Sequence, residues 1–409
     1  MNKGFDPKTL DPKTNYPARG ENELEAFEFD LPESFVARRP AVPRGSSRLM
    51  VLDRAALSIE HSVFESFPSY LEEGDCLVLN ETKVRPCRVF GERVETGGKL
   101  ELLFVRRSEG PKGKGSLWEA LVKPSRRLKD GTVVSLNGGA NARIAEKISG
   151  ASFLIEVPDG FEDYLEKWGE MPIPPYIRRR ADADDRKHYQ TVYARVTGSS
   201  AAPTAGLHFT REILHKLEAR GVAIARLILH VGPGTFRPLI PGKLSSQKLD
   251  PEYYEITAEA CRIINRARGR GGRVFAVGTT TARVLETVAY GVEDKCEACD
   301  AASERDGQTT QSEGDRALVR GGERPSIFSR PSVPSKPLVP SKGWTDRFIY
   351  PPYDFKIVDA LVTNFHLPGS SVLLLVCAFA GREFILRAYE EAKKEKYRFY
   401  SYGDGMLLV

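Results

Sequence analysis

Three segments of the chain follow one pattern, a near-continuous apolar run that breaks into small and polar residues. Val222 to Leu229 ends in His230-Val231-Gly232-Pro233-Gly234-Thr235-Phe236. Val274 to Val277 ends in Gly278-Thr279-Thr280-Thr281 and passes directly into helical spacing. Ala360 to Thr363 ends in Asn364-Phe365-His366-Leu367-Pro368-Gly369-Ser370-Ser371, again ahead of a helix. Strands that are apolar on both faces read as parallel and buried, and sheets of that kind take ligands beyond the carboxyl ends of their strands. The pattern therefore predicts one crevice that collects His, Thr, Asn and Gly from three distant stretches. His208 lies in a fourth run of small residues, AAPTAGLHFT, where a ligand can approach the backbone closely.

Other segments fill in the frame. Leu49 to Leu52 and Cys76 to Leu79 read as strands, and Phe64, Phe67, Tyr70 and Leu71 fall at helical spacing. From about Arg85 to Pro158 the rhythm changes to short strands at Arg88–Val94, Lys99–Arg106, Leu117–Val122, Thr132–Leu136, Ala142–Lys147 and Ser152–Val157, joined by Gly turns. Such spacing argues a small antiparallel barrel or sandwich inserted between two α/β parts. Helical faces recur at Phe161, Tyr164, Leu165 and Trp168 and at Tyr189, Val192, Tyr193 and Val196. Thr210 and Thr257 are placed to cap helices that run to Arg220 and to about Gly269. A helix from Glu383 to about Lys394 and a strand at Tyr397 to Tyr400 close the chain.

The expected fold class is thus α/β, a mostly parallel sheet with flanking helices, interrupted by an inserted small antiparallel β-barrel domain. Residues 1–25 read as a disordered extension, 26–84 with 159–409 as a discontinuous α/β domain, and 85–158 as the barrel. Residues 292–342, charged and rich in Ser, Pro and Gly, read as a flexible low-complexity insertion.

Composition narrows the classes without choosing one. In 409 residues, 60 basic against 55 acidic side chains leave a formal charge of +5, which permits an anionic partner without demanding it. No run approaches the ~20 apolar residues of a membrane span, and the amino terminus lacks the apolar core of a signal peptide, so no membrane partner and a cytoplasmic location are expected. Cys76, Cys87, Cys261 and Cys377 read as small buried hydrophobes. Cys296 and Cys299 form a lone C-x-x-C, a weak metal signal with no second pair and no nearby His.

Gly278-Thr279-Thr280-Thr281 fits either an anion-binding helix start or a plain hydroxyl-capped one. Gly232-Pro233-Gly234 holds only half of a dinucleotide fingerprint, which leaves nicotinamide or flavin unsupported. His208, His230 and His366 suit acid or base work better than zinc, because no H-E-x-x-H or carboxylate pairing accompanies them. Basic residues cluster at Lys123, Arg126 and Arg127, at Arg178-Arg179-Arg180, at Arg266 to Arg273, and at Lys393 to Arg398 beside Tyr397, Phe399 and Tyr400. These runs are solvated faces or, where aromatics interleave, a surface for RNA with unstacked bases.

Longer strings then carry a resemblance: GDCLVLNETKVRPCRVFGE, MPIPPYI, YQTVYA, AAPTAGLHFT, LHVGPGTF, AVGTTTARVLE, VDALVTNFHLP, LVCAFAG and EKYRFYSYGDGM, in this order. The chain resembles the S-adenosylmethionine:tRNA ribosyltransferase-isomerase family of queuosine biosynthesis from about residue 27 to the end, apart from 292–342. The resemblance implies transfer and isomerisation of the ribosyl moiety of S-adenosylmethionine onto 7-aminomethyl-7-deazaguanine at the tRNA wobble position. The product is epoxyqueuosine, with adenine and methionine released. It implies S-adenosylmethionine as co-substrate, no metal or separate cofactor, and a tRNA anticodon loop as partner; a monomer is expected, though no residue pattern speaks to it. His208, His230 and His366 become the proton-transfer candidates, with Glu252 next. Substrate contacts are expected from Gly232, Gly234, Thr235, Phe236, Thr279, Thr280, Thr281, Arg283, Asn364, Thr204 and Tyr189. Within that set, the three threonines would hold the methionine carboxylate, and Phe236 or Tyr189 would stack adenine. RNA contacts are expected from Lys123, Arg126, Arg127, Arg178, Arg179, Arg180 and Arg398. One departure stands out: a His expected in a His-Ser-Glu-Tyr run is absent from LDPEYYE at 249–255, where Glu252 remains. The rivals are a tRNA-binding protein of the same fold without catalysis and a zinc hydrolase.

Overall fold

The computed structural model describes residues 24–108, 116–236, 239–303 and 336–409, with backbone alone at 235–236 and 292–303. In chain order the strands are β1 (Arg48–Asp53), β2 (Ser58–Val63), β3 (Cys76–Asn80) and β4 (Thr82–Val84). Next come β5 (Arg88–Arg93), β6 (Lys99–Ser108), β7 (Ser116–Lys123), β8 (Val133–Leu136), β9 (Asn141–Ser149) and β10 (Ser152–Val157). The remainder are β11 (Val196–Ser199), β12 (Ala223–Leu229), β13 (Glu252–Ile256), β14 (Val274–Val277), β15 (Ser341–Thr345), β16 (Ala360–Asn364) and β17 (Gly405–Leu408). The helices are α1 (Phe161–Trp168), α2 (Asp185–His188), α3 (Arg211–Ala219), α4 (Ala258–Gly269), α5 (Thr279–Ser303), α6 (Ser371–Ala380) and α7 (Arg382–Lys394).

A nine-stranded sheet in the order β15-β13-β12-β3-β14-β16-β17-β1-β2 forms the frame. Every residue of β3, β14 and β16 is buried, as their unbroken apolar sequence requires. Alternate residues feed two cores: Cys76, Val78, Val274 and Ala276 pack with α4 to α7, while Leu77, Leu79, Phe275 and Val277 pack with α3, Phe64 and Phe67. The sheet is mixed, which corrects the expectation of a mostly parallel one. β12, β3, β14 and β16 run parallel and β17 pairs parallel with β1, but β13 and β15 at one side, β17 against β16, and β2 at the far edge are antiparallel. The parallel block is the part whose strands must be apolar on both faces; β2, largely exposed at the edge, has no such requirement.

The six short strands β5 to β10 close into a barrel in the order β10-β7-β6-β5-β8-β9. Its interior is filled by side chains that include Val89, Leu102, Phe104, Trp118, Val122, Ile144 and Phe153. The chain enters and leaves through one clasp, where Arg88 and Glu170 exchange backbone hydrogen bonds at 3.2 and 2.8 Å. Gly169 is obligatory there, because a Cβ would stand 1.8 Å from the Pro86 carbonyl oxygen.

Thr210 and Thr257 cap α3 and α4 by accepting from Ile213 N and Ala260 N. Other expectations fail for local reasons. Phe64–Tyr70 is a 3₁₀ turn, since Pro68 inside it cannot donate to an α-helical ladder. Tyr189 to Val196 is no helix: α2 stops at His188, and Val196 opens a short strand beside β4. Tyr397 to Tyr400 is no strand either; Phe399 makes a single bridge to Val36, and Tyr400 turns at φ 72°. At the ends of the 292–342 stretch, α5 continues to Ser303, and Leu338 is buried with its N–H and carbonyl both bonded to Asn265. Leu24 is likewise buried; residues 1–23 of the expected disordered extension and 304–335 of the expected insertion lie outside the described residues. Among the described residues, no helix is long and apolar enough to cross a membrane.

The orientation of α5 is set by Glu286, which is wholly buried. Its carboxylate accepts from Lys356 N, Ile357 N and Val358 N at 2.9, 3.0 and 3.2 Å, and burial pushes its pKa up to about 7. Glu286→Ala strands three N–H groups and is expected to cost ~3 kcal/mol or more in urea unfolding. A loss below ~1 kcal/mol would show that α5 is held by other means.

Candidate functional site

The carboxyl ends of β12, β14 and β16 open on a common crevice. Val231, Gly278, Thr279, Thr280, Asn364, His366 and Ser370 line its central part together with Ala202 and Thr204. An adjoining cleft shares Thr279, Thr280 and Val372 and adds Gly234, Glu252, Arg283 and Ser371. The three strand-end loops therefore meet, as their sequence pattern predicts.

At the centre of this junction is the start of α5. Gly278 adopts φ 88°, a left-handed turn that takes β14 into the helix, and its N–H is fixed to the Val362 carbonyl at 2.8 Å. The next three N–H groups have no acceptor within the helix, and the dipole gives them partial positive charge. Asn80, at the end of β3, ties the junction together. Its amide oxygen accepts from Leu229 N, while its NH₂ donates to the Leu229 carbonyl and to Thr280 Oγ1. Thr279 and Thr280 face the crevice. Thr281 does not, because its hydroxyl donates to the Val277 carbonyl at 2.7 Å and the side chain is fully buried. This removes Thr281 from the hydroxyls available to a ligand.

Glu252 and Arg283 hold the first loop against α5. The carboxylate accepts from Gly232 N at 2.7 Å through one oxygen and pairs closely with Arg283 Nη1 through the other. Arg283 also donates to the Thr345 and Arg347 carbonyls. With both oxygens engaged inside a buried ion pair, Glu252 is fitted for holding this loop, not for the proton transfer expected of it. Gly234 allows the loop to close on Asp250, since a Cβ would meet Asp250 Oδ2 at 2.5 Å.

The three histidines separate. His366 lines the central crevice, and its Nε2 pairs with Thr363 Oγ1 at 2.6 Å. Burial lowers its pKa to about 3, so the ring is neutral near pH 7. His208 instead faces a cleft behind the crevice, lined by Arg44, Ser47, Lys187 and Tyr402. Its Nδ1 bonds Ser47 Oγ at 2.8 Å, its Nε2 meets Asn364 Nδ2 at 3.2 Å, and its ring stacks on Phe64. Because Nε2 accepts from the Asn364 amide, Nδ1 carries the proton and donates to Ser47. His230 packs against Gly198, its Nδ1 bonded to Thr82 Oγ1 at 2.8 Å, and burial is the main cause that lowers its pKa to about 4. The expectation of three imidazoles around one cavity is therefore corrected to one, His366, with His208 joined to it through Asn364.

Tyr189 is also displaced from its expected place. It is fully buried in an apolar cluster with Val84, Met171, Ile173 and Ile177, and burial raises its pKa well above 10. It cannot stack a ligand in the crevice. The side chains of Thr235 and Phe236 lie outside the described residues, as do those of Cys296 and Cys299. Cys76, Cys87, Cys261 and Cys377 are buried thiols. Among the described residues, no three His, Cys, Asp or Glu side chains group as metal ligands.

Of the basic candidates, Arg179 and Arg398 are structural. Arg179 grips the buried Asp185 through two bonds at 2.6 and 2.8 Å, and Arg398 pairs with the buried Asp404 at 3.1 Å. Arg178 and Arg180 are exposed and pair with Glu33 and Glu170, contacts a phosphate could displace. Lys123, Arg126 and Arg127 are exposed on the barrel. Sequence reasoning missed Asn80, Ser47 and Thr82, whose partners lie more than a hundred residues away.

A polar slot at the mouth of a mixed sheet, served by a helix start and flanked by an inserted barrel, defines an α/β protein with a candidate small-molecule site. The chain matches the family described as "Queuosine biosynthesis protein" over residues 24–408. It belongs to that family and acts in queuosine synthesis. It is also similar to the S-adenosylmethionine tRNA ribosyltransferase of Thermotoga maritima, known from a crystal structure. The two are 32% identical over 94% of this chain and 99% of that one, with a TM-score of 0.47.

Burial lowers the pKa of His208 from 6.5 to about 4. Between those values the unfolded chain binds a proton that the folded chain refuses, so folding stability falls as pH drops from about 6.5 to about 4. The slope from this one group approaches ~1.4 kcal/mol per pH unit. His208→Gln is expected to flatten urea-derived stability by that amount across the window; an unchanged slope would mean that His208 is charged in the fold.

Proposed function

We propose that this chain is a transferase that moves and isomerises the ribosyl moiety of S-adenosylmethionine onto 7-aminomethyl-7-deazaguanine at the tRNA wobble position. Epoxyqueuosine forms, and adenine and methionine leave. Family membership supports the pathway. The observation that carries the finer reading is the first turn of α5, whose N–H groups and Thr279 and Thr280 hydroxyls border both clefts. A carboxylate suits that turn, so the methionine end of S-adenosylmethionine belongs there. The remaining slot, walled by Ala202, Thr204, Gly278 and His366, takes the sulfonium and ribose.

The sulfonium acidifies the adjacent ribose carbon. His366, whose ring lines the slot, accepts that proton and returns it to the departing adenine. As adenine leaves with the pair of its C1′–N bond, the C5′ pair closes a C5′–C1′ bond. The tRNA amine then displaces the ring oxygen from C1′, losing a proton to solvent. That oxygen, still on C4′, closes on C5′ to form the epoxide and expels methionine as a neutral thioether. S-adenosylmethionine is a co-substrate in this scheme, and no metal or redox cofactor enters it.

The test is chromatographic. Purified protein with S-adenosylmethionine and tRNA bearing the aminomethyl base is expected to release adenine and methionine in equal amounts, and neither without that tRNA. Binding of the tRNA without adenine release would establish the non-catalytic alternative instead. His366→Ala is expected to lower turnover by ~100-fold or more while S-adenosylmethionine binding stays within about threefold. Unchanged turnover would remove His366 from the mechanism.

A further inference from the structure

Strands β13 and β15 present different chemistry on their two faces. Glu252 and its partner Thr345 point to the α5 side and are buried, while the next pair in register, Tyr253 and Trp344, points away. Trp344 is 55% exposed, on an otherwise ordinary edge strand. Tyr253 meets it edge to face at 5.8 Å, and Tyr253 in turn stacks on His230 at 5.8 Å with rings 24° apart. Arg106, from β6 of the barrel, lies 4.8 Å from the Trp344 ring centre. Its guanidinium is held there by Glu119, with a hydrogen bond at 2.7 Å from Nε.

A line of three rings thus starts one residue from Val231 in the crevice wall and ends at an exposed indole beneath the barrel. Arg106 and Lys342 flank it, Lys342 being on the same face of β15 as Trp344; the acidic groups nearby are Glu119, bonded to Arg106, and Glu255, which accepts from the Tyr253 hydroxyl at 3.3 Å. An exposed indole, a guanidinium over a ring and continuity with a reactive crevice suit one occupant, an unstacked base of single-stranded RNA.

We infer that Trp344, with Tyr253 and Arg106, is a stacking platform for a base of the substrate RNA near the base being modified. This rests on the RNA substrate proposed above. It gives the barrel a role as well, since Arg106 joins barrel and sheet on one RNA-facing surface.

Affinity for an anticodon stem-loop, measured by fluorescence anisotropy at fixed salt, decides the matter. Trp344→Ala is expected to weaken binding about tenfold or more and Trp344→Phe by no more than about threefold. Trp168→Ala, at an exposed indole on α1, is expected to change nothing. Trp344→Ala binding within about twofold of the unaltered chain overturns the proposal. So does unaltered RNA affinity together with loss of a dimer in light scattering, which would make Trp344 a contact between two copies. If Trp344→Ala fails to fold, Lys342→Glu carries the test, with weaker, less salt-sensitive binding expected and unchanged binding contradicting. The outcomes separate from those of the catalytic reading. Adenine release with an unaffected Trp344→Ala variant sinks the platform alone, and RNA binding without adenine release sinks the chemistry alone.

Discussion

The crevice depends on where the first turn of α5 is held. A helix start attracts an anion only if its unpaired N–H groups face a space a ligand can reach, and here that aim is fixed from three directions. Glu286 binds three backbone N–H groups ahead of β16, Arg283 is locked into Glu252 and two carbonyls, and Asn80 reaches across from β3 to Thr280 and Leu229. Each is a buried polar group whose partner, if lost, leaves an unsatisfied charge or donor, so the arrangement tolerates little drift. The first turn of α5 and the loop carrying Gly232 are in this way parts of one polar network.

The same network explains why the imidazoles play unequal parts. Only His366 borders the space that α5 faces. His208 and His230 are neutral rings that finish hydrogen-bond chains: His208 runs from Ser47 to Asn364, and His230 joins Thr82, which itself meets Ser199 at 2.8 Å. They shape the walls of the crevice without lining its floor, and His230 hands the surface on to Tyr253 and Trp344.

What could be read in the sequence was what local pattern determines. Val274–Val277 and Ala360–Asn364 are apolar throughout because both faces are buried, and the Gly and Thr that follow mark the turn into a helix. Regular short strands with Gly turns gave away the closed barrel, and Thr210 and Thr257 marked two helix starts. What could not be read was set by tertiary partners. Strand direction at β13, β15 and β17 follows from how the chain returns to the sheet, which no periodicity records. Glu252 looked available because Arg283 is 31 residues away, and His208 looked like a crevice residue because Ser47 is 161 residues away. Tyr189 carried an aromatic signal equally suited to core and pocket, and the core claimed it.

Calorimetric binding of S-adenosylmethionine beside its decarboxylated analogue bears most directly on the cradle at α5. Removing the carboxylate deletes the one group that we propose the helix start holds and leaves the adenosine and sulfonium untouched. Affinity is expected to fall by about tenfold or more. Equal affinity for the two compounds would mean that the first turn of α5 does not hold the methionine end, and the placement of substrate in this crevice would be wrong.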